Sequence, residues 1–107
     1  MDLTKEIIGK NYFFHHSINK NPESNIFNLH MHDAFEILFF IKGNAKIYIE
    51  DRLYTLDSFD LCFIYPGRFH RVIPNPDQQY ERKVIRFDYS FARQFDPNDC
   101  LLNGYSP

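Results

Sequence analysis

The sequence predicts a small all-β domain, and three observations lead to that prediction. The chain has 107 residues, which is enough for one hydrophobic core. Aromatic residues, which favour strands, make up 18% of it. From residue 25 onward, short apolar runs alternate with turn residues at the spacing typical of a sandwich or a barrel. We therefore expect about six or seven antiparallel strands in two sheets.

The apolar runs define the predicted strands in chain order: IFNLH, AFEILFFI, AKIYIE, LYTL, LCFIY, HRVI and ERKVIRF. Turn-forming residues such as Gly, Pro, Asn and Asp separate most of these runs. This pattern predicts an N-terminal arm over residues 1–23, a barrel over 24–95 and a tail or linker over 96–107. One short helix is expected over FARQF, capped by Ser90 and ended by Pro97.

Alternation along two of the runs indicates which strand faces are covered. In AKIYIE the residues Ala45, Ile47 and Ile49 share one face, so this strand should be packed on one side only. AFEILFFI is apolar on both faces except for Glu36, and we expect it to be covered on both sides. An unpaired buried carboxylate is costly, so Glu36 should have a cation, a metal ion or a hydrogen-bonding ligand beside it.

Composition and charge argue against several classes of protein. The net charge is −2 and the isoelectric point is near 6.2, without the basic patch that direct nucleic-acid binding needs. The longest apolar run, Ile37 to Ile41, is far shorter than the roughly 20 residues of a membrane-spanning helix. The N-terminus lacks the pattern of a secretory signal, so we expect a cytoplasmic protein. Cys62 and Cys100 form no CxxC unit and are expected to be free thiols.

Three histidines and one glutamate have the spacing of a ligand-binding site. His30 and His32 lie at i and i+2 in an extended segment, so both imidazoles should point to the same side of the sheet. Glu36 shares their parity, and His70 follows a Pro-Gly turn. Three imidazoles and one carboxylate suit Fe, Mn, Ni or Zn. In the alternative interpretation, these side chains hydrogen-bond to one another and to water without a metal ion.

The same residues resemble the motifs of the cupin superfamily. HMHDAFEILFFIKG has the pattern H-x-H-x3-E-x6-G of the first cupin motif and ends at Gly43, while PGRFH resembles the core of the second. Within the superfamily, HMHDAFEI, the G-x5-I hairpin and IYPGRFHRV are most similar to the N-terminal domain of AraC-type transcription regulators. This resemblance extends from about Ser24 to Phe95. Phe59 stands where the family pattern has glycine, so we expect a different turn geometry before Asp60.

The resemblance implies a cupin-type double-stranded β-helix, a jelly-roll-like barrel, that senses a small-molecule effector. A sugar is one candidate effector. Arg82 and Arg86 would face the lumen and hold a carboxylate or sugar hydroxyls, although a solvated or salt-bridged face is the alternative. A homodimer is implied, with DNA contacted only through a separate C-terminal helix-turn-helix domain. In metal-binding cupins the matched positions would be the ligands of a divalent transition metal: His30, His32, Glu36 and His70.

Two other functions stay open at this point. One is a stand-alone metal-dependent cupin enzyme, such as a dioxygenase or an isomerase. The other is a carbohydrate-binding barrel without a regulatory partner. The non-catalytic sensor is the interpretation that the motifs favour. The adjacent His15 and His16 are interpreted as surface histidines without a role, and their side chains should point to opposite sides of an extended segment.

Apolar residues near the C-terminal end predict self-association. Phe91 and Phe95 fall four apart on one helical face, close to Phe87. A small barrel is not expected to bury all of these rings, and large exposed apolar patches mark interaction sites. We therefore expect a two-fold dimer. The alternative is that the helix packs back on its own barrel.

Overall fold

The computed structural model describes residues 2–22, 33–96 and 98, and it shows two facing antiparallel sheets. This part of the chain forms strands and one short helix, with bounds that follow in chain order: β1 (Leu3–Ile8), β2 (Tyr12–Asn19), β3 (Phe35–Lys42), β4 (Ala45–Ile49), β5 (Arg52–Leu56), β6 (Leu61–Ile64), β7 (His70–Pro74), β8 (Tyr80–Phe87) and α1 (Tyr89–Phe95).

The strand order confirms the predicted all-β fold with a short C-terminal helix. One sheet has five strands in the order β1-β2-β8-β3-β6, and the other has three in the order β5-β4-β7. Every predicted strand from AFEILFFI onward is present, whereas IFNLH lies outside the described residues. The segment predicted as an arm contains β1 and β2, and β2 pairs with β8 along its whole length. β1 forms the edge of this sheet, and all six of its residues are exposed.

The hydrophobic core lies between the two sheets. The residues that form it alternate along the strands, as AKIYIE predicted for β4. We call the side of the five-stranded sheet that contacts this core its inner face, and the opposite side its outer face. Burying each such apolar side chain contributes about 1.5–3 kcal/mol to stability. The core residues are Leu38, Phe40, Ala45, Ile47, Leu56, Ile64, Tyr80 and Val84.

Helix α1 packs back against the outer face. The Phe91 ring lies 5.1 Å from that of Tyr12 and 5.5 Å from that of Phe87, measured between centroids. Phe95 contacts Phe91 at 4.9 Å but is 73% exposed. The outer face of β3 is therefore covered in part, with Phe35 buried beneath this aromatic cluster and the following outward residues half-buried.

The helix begins at a different cap from the one the sequence predicted. Asp88, not Ser90, is the N-cap, and its side chain accepts a hydrogen bond of 2.9 Å from the backbone N–H of Phe91. Asp88 has the extended backbone that a cap requires, whereas Ser90 already lies in the first helical turn.

The turn before β6 contains a strained residue. Contrary to the expectation of a changed geometry, Phe59 has a φ of 74°, in the region that glycine favours. Its N–H donates to the carbonyl of Phe40 at 2.6 Å, and the N–H of Asp60 donates to the carbonyl of Asp57 at 3.0 Å. Phe59 is tolerated here because its side chain is 69% exposed, with its ring 6.0 Å from that of Phe39 on the outer face of β3.

This conformation predicts an unusual order of stability for two variants. Phe59→Gly and Phe59→Ala both remove the ring, but only glycine relieves the positive φ. We expect the glycine variant to have the higher free energy of unfolding, by about 0.5–1 kcal/mol in urea denaturation. The exposed strand residue Leu53 is the control, because there the alanine variant should be the more stable by a similar amount. If Phe59→Ala is as stable as Phe59→Gly, the backbone at position 59 is not strained by its positive φ.

Candidate ligand-binding site

The two sheets bring three of the predicted site residues together. Glu36 lies on the inner face of β3, directly opposite Arg86 in the neighbouring strand β8. His70 begins β7 in the other sheet and is 2% exposed. His30 and His32 lie outside the described residues, so their place in the site stays a prediction.

Glu36 is buried and lies within ion-pair distance of both of these partners. Its exposed fraction is 5%. Arg86 Nε donates to Oε1 at 2.8 Å, and His70 Nε2 lies 3.2 Å from Oε2. The other ring nitrogen of His70 donates to the carbonyl of Arg68 at 3.1 Å, which fixes the imidazole. The buried carboxylate therefore has the cationic partner that its position in β3 required.

The pKa values of this cluster follow from burial and from the paired charges. Burial alone would raise the pKa of Glu36, but the interactions with His70 and Arg86 outweigh it and lower the pKa to about 2. Burial alone would lower the pKa of His70, but the adjacent Glu36 carboxylate raises it. The charged form of each partner is thus favoured by the other.

A second polar group lies on the inner face beside β2. Arg82 donates to the side-chain oxygen of Asn19, and its guanidinium lies 4.5 Å from the centroid of the Tyr80 ring. Burial lowers the pKa of Arg82. Arg82 and Arg86 therefore both face inward, as the resemblance implied, but they extend toward different neighbours: β3 for Arg86, and Asn19 of β2 together with Tyr80 for Arg82.

His15 belongs to this second group, which the sequence analysis missed. It faces inward opposite Val84, whereas His16 faces outward and lies 2.6 Å from Glu81. His15 Nδ1 lies 2.9 Å from the hydroxyl of Ser17. Burial, together with the charges of Arg82 and Arg86, lowers the pKa of His15 to about 4, so its ring is neutral near pH 7. The surface interpretation is corrected for His15, because an extended β2 gives each histidine a different face.

The described residues do not fit a metal centre as they are arranged. The 3.2 Å between Glu36 Oε2 and His70 Nε2 suits two ligands of one metal ion, but the charges around these atoms oppose metal binding. The guanidinium of Arg86 already binds the carboxylate, and a metal ion would have to displace a proton from an imidazole whose pKa is raised. Within residues 2–22 and 33–96, no group of three His, Cys, Asp or Glu side chains could hold a metal ion.

One family comparison decides what kind of domain this is. Residues 18–96, well over half of the chain, match the family model described as the AraC-like ligand binding domain. The chain belongs to this family. The resemblance seen in its motifs is therefore confirmed. No sequence among the curated proteins matches this AraC-like domain.

Solved structures confirm the cupin fold of the AraC-like domain. A cupin superfamily protein from Desulfitobacterium hafniense has a TM-score of 0.70 at 12% identity, covering 82% of this chain and 78% of that one. A cupin 2 conserved barrel domain protein from Salinispora arenicola has a TM-score of 0.64 at 16% identity, with coverages of 88% and 82%. A predicted oxalate decarboxylase from Thermotoga maritima has a TM-score of 0.66 at 16% identity, with coverages of 80% and 79%. At these identities the likeness shows the fold alone.

Two further predictions concern the membrane and the thiols. Among the residues with described positions, no helix is long and apolar enough to cross a membrane. Cys62 is a free, half-buried thiol whose pKa is raised by burial. Cys100 lies outside the described part of the AraC-like domain.

The buried carboxylate gives the AraC-like domain a defined pH dependence. Because the pKa of Glu36 falls from 4.5 to about 2 on folding, its stabilisation is present above about pH 4.5 and is lost as the pH falls toward 2. We expect Glu36→Gln to lower the free energy of unfolding by about 3 kcal/mol at pH 7. The difference in the free energy of unfolding between the natural chain and Glu36→Gln, measured by urea denaturation, should shrink steadily below pH 4.5.

The exposed Glu50 provides the control for this measurement. It lies 3.7 Å from Arg68 at the surface, so Glu50→Gln should change stability by less than about 1 kcal/mol at every pH. A difference between natural chain and Glu36→Gln that stayed constant from pH 7 to pH 2.5 would show that the Glu36 pKa is not lowered.

Proposed function

We propose that this AraC-like domain is the sensing domain of a transcription regulator, and that it binds a small molecule on the inner face of its five-stranded sheet. The observation that carries the proposal is the concentration of partly or fully buried polar side chains on that face. They are His15, Ser17, Glu36, Arg82 and Arg86, and His70 of the opposite sheet pairs with Glu36. Ligand pockets combine apolar walls with a few polar groups that fix the ligand's orientation.

The polar groups suit recognition better than catalysis. Arg86 and His70 hold Glu36 in its charged form, so the carboxylate is poorly suited to exchange protons with a substrate near neutral pH. A metal-dependent enzyme would also need Glu36 as a ligand, where it already binds a guanidinium. Arg82, His15 and Ser17 can offer hydrogen bonds to sugar hydroxyls or to a carboxylate. The proposal therefore places the domain in the cytoplasm as a non-enzyme, with DNA contacted by a separate domain.

Self-association through the outer face is the second part of the proposal. A groove of about 250 Å³ between α1 and the sheet is lined almost entirely by apolar side chains, including Ile37, Phe63 and Ile85. Phe95 borders it and is 73% exposed, and Leu61 on the same face of the sheet is 67% exposed. Contiguous apolar surface of this kind marks interaction sites, and two-fold dimers are the commonest homo-oligomers.

Adjacent histidines on opposite faces allow a direct test of the ligand site. We expect members of a library of sugars and small organic acids to shift the amide NMR signals of inner-face residues in the 107-residue chain. His15→Phe should weaken such binding about tenfold, because it removes hydrogen bonds to the ligand, whereas His16→Phe should leave it unchanged. A chelator should have no effect, because Arg86 supplies the positive charge beside Glu36. Binding that is lost in both variants, or only with the chelator, would contradict the proposal.

Sedimentation equilibrium tests the dimer. We expect the natural chain to form a dimer at micromolar concentration and Phe95→Lys to be monomeric, because a charge on the outer face opposes burial of the groove. Leu53→Lys is the matched control, since Leu53 is an exposed apolar residue on β5 in the other sheet. A natural chain that stays monomeric at high concentration, or a dimer that survives in Phe95→Lys, would show that this face is not the interface.

A further inference from the structure

We propose that the ligand of the inner face is an organic anion, whose carboxylate binds in a row formed by Arg82, His15 and Arg86. This inference rests on the proposed ligand-binding function and names the chemical class of the ligand. The three side chains come from two neighbouring strands and lie on one face of the sheet.

The strand register places an imidazole between two guanidinium groups. Arg82 and Arg86 are at i and i+4 of β8, so about 13 Å of strand separates their backbones. Val84 occupies the middle of this interval, and His15 lies directly opposite Val84 in β2. An anion beside the neutral His15 ring would therefore have one arginine on either side.

Guanidinium groups suit a carboxylate for reasons of both geometry and charge. Each has five N–H donors in a planar fork, so an arginine that already bonds to one residue can also bond to a ligand. Asn19 and Tyr80 orient Arg82, and Glu36 orients Arg86, so the donors are held in place before the ligand arrives. Preorganised guanidinium groups favour a carboxylate over a neutral hydroxyl, because opposite charges attract and one guanidinium can donate to both carboxylate oxygens.

The electrostatics of the row favour an anion over a cation. Two guanidinium groups, of Arg82 and Arg86, lie on the same face as His15, and only one of them is paired with Glu36. Burial is the main cause of the lowered pKa of His15, and the charges of these two arginines lower that pKa further. Two more carboxylates lie nearby: Glu6 is directly opposite His15 in β1, and Asp2 accepts a hydrogen bond from Asn19, but both side chains are exposed. Water and salt screen their charges much more than those of partly buried groups.

The surroundings favour an organic body on that anion. Phe13 lies opposite Arg86 in β2 and faces inward, and its half-buried ring lies 5.8 Å from that of His15. A ligand with an apolar body and one carboxylate would match both the arginines and this ring. Inorganic phosphate offers the charge without the body, so it serves as a comparison probe.

Three probes with one aromatic body and different charges test the proposal: phenylacetate, phenylacetamide and phenethylamine. Each is titrated into the 107-residue chain and followed by amide NMR signals of β2 and β8. We expect phenylacetate to bind at the row, with the neutral amide and the cationic amine at least about tenfold weaker. Inorganic phosphate should bind more weakly than phenylacetate, because it lacks an apolar body.

Lys83 provides a matched variant, since it is next to Arg82 in sequence but lies on the exposed outer face. Arg82→Gln should weaken phenylacetate binding about tenfold, and Arg82→Lys, which keeps the charge, should weaken it less. Lys83→Gln removes the same charge and should have no effect. Equal loss in Arg82→Gln and Lys83→Gln, or binding of the amide as tight as that of phenylacetate, would overturn the proposal.

The outcomes also separate this inference from the proposed function. If neutral sugars or phenethylamine bind at the inner face and phenylacetate does not, the assignment of the ligand as an organic anion is wrong. The proposed sensing function would then still stand. Failure of every probe and every library compound to bind at the inner face would overturn both. If phenylacetate shifts only the amide NMR signals of residues around the groove beneath α1, the row is likewise excluded as its binding site.

Discussion

The carboxylate of Glu36 must be paired where it lies, and much of the architecture follows from that requirement. Its partners come from different parts of the fold, Arg86 from the neighbouring strand and His70 from the opposite sheet. A slip of one residue between β3 and β8 would turn Arg86 to the outer face and leave the carboxylate without its guanidinium. Loss of a partner from a buried ion pair costs about 3–5 kcal/mol. The cluster thus fixes both the strand register and the docking of the two sheets.

Strand β8 links the two faces of the domain. Its inward residues, Arg82 and Arg86, belong to the candidate ligand site, while its last residue, Phe87, packs outward beneath Phe91 of α1. Only Asp88, the helix cap, separates the strand from the helix. A shift of β8 on ligand binding would therefore reach α1 and the apolar groove through directly bonded and packed groups. The alternating pattern of one strand is enough to place the candidate ligand site on one face and the apolar groove on the other.

The sequence predicted what depends on alternation and missed what depends on tertiary context. The parity of AFEILFFI indicated that Glu36 would be buried and paired, and the strands from β3 to β8 follow the apolar runs. His15 was missed because YFFHHSIN has no clear polar alternation, and only pairing with β8 assigns it a face. The choice of Asp88 over Ser90 as cap depends on backbone angles that both residue types allow. Phe59 keeps a positive φ because its surroundings are open, which no local pattern reveals.

The exposed edge strand β1 has a consequence for the behaviour of many copies in a crowded solution. Its backbone groups along one side are available to another strand, which makes such an edge a template for fibrous aggregation. Its sequence, LTKEII, has a lysine and a glutamate at the centre. In a parallel, in-register stack each Lys5 would lie against another Lys5 and each Glu6 against another Glu6, a repulsion repeated at every layer. Two charged side chains thereby protect this edge from amyloid-like growth.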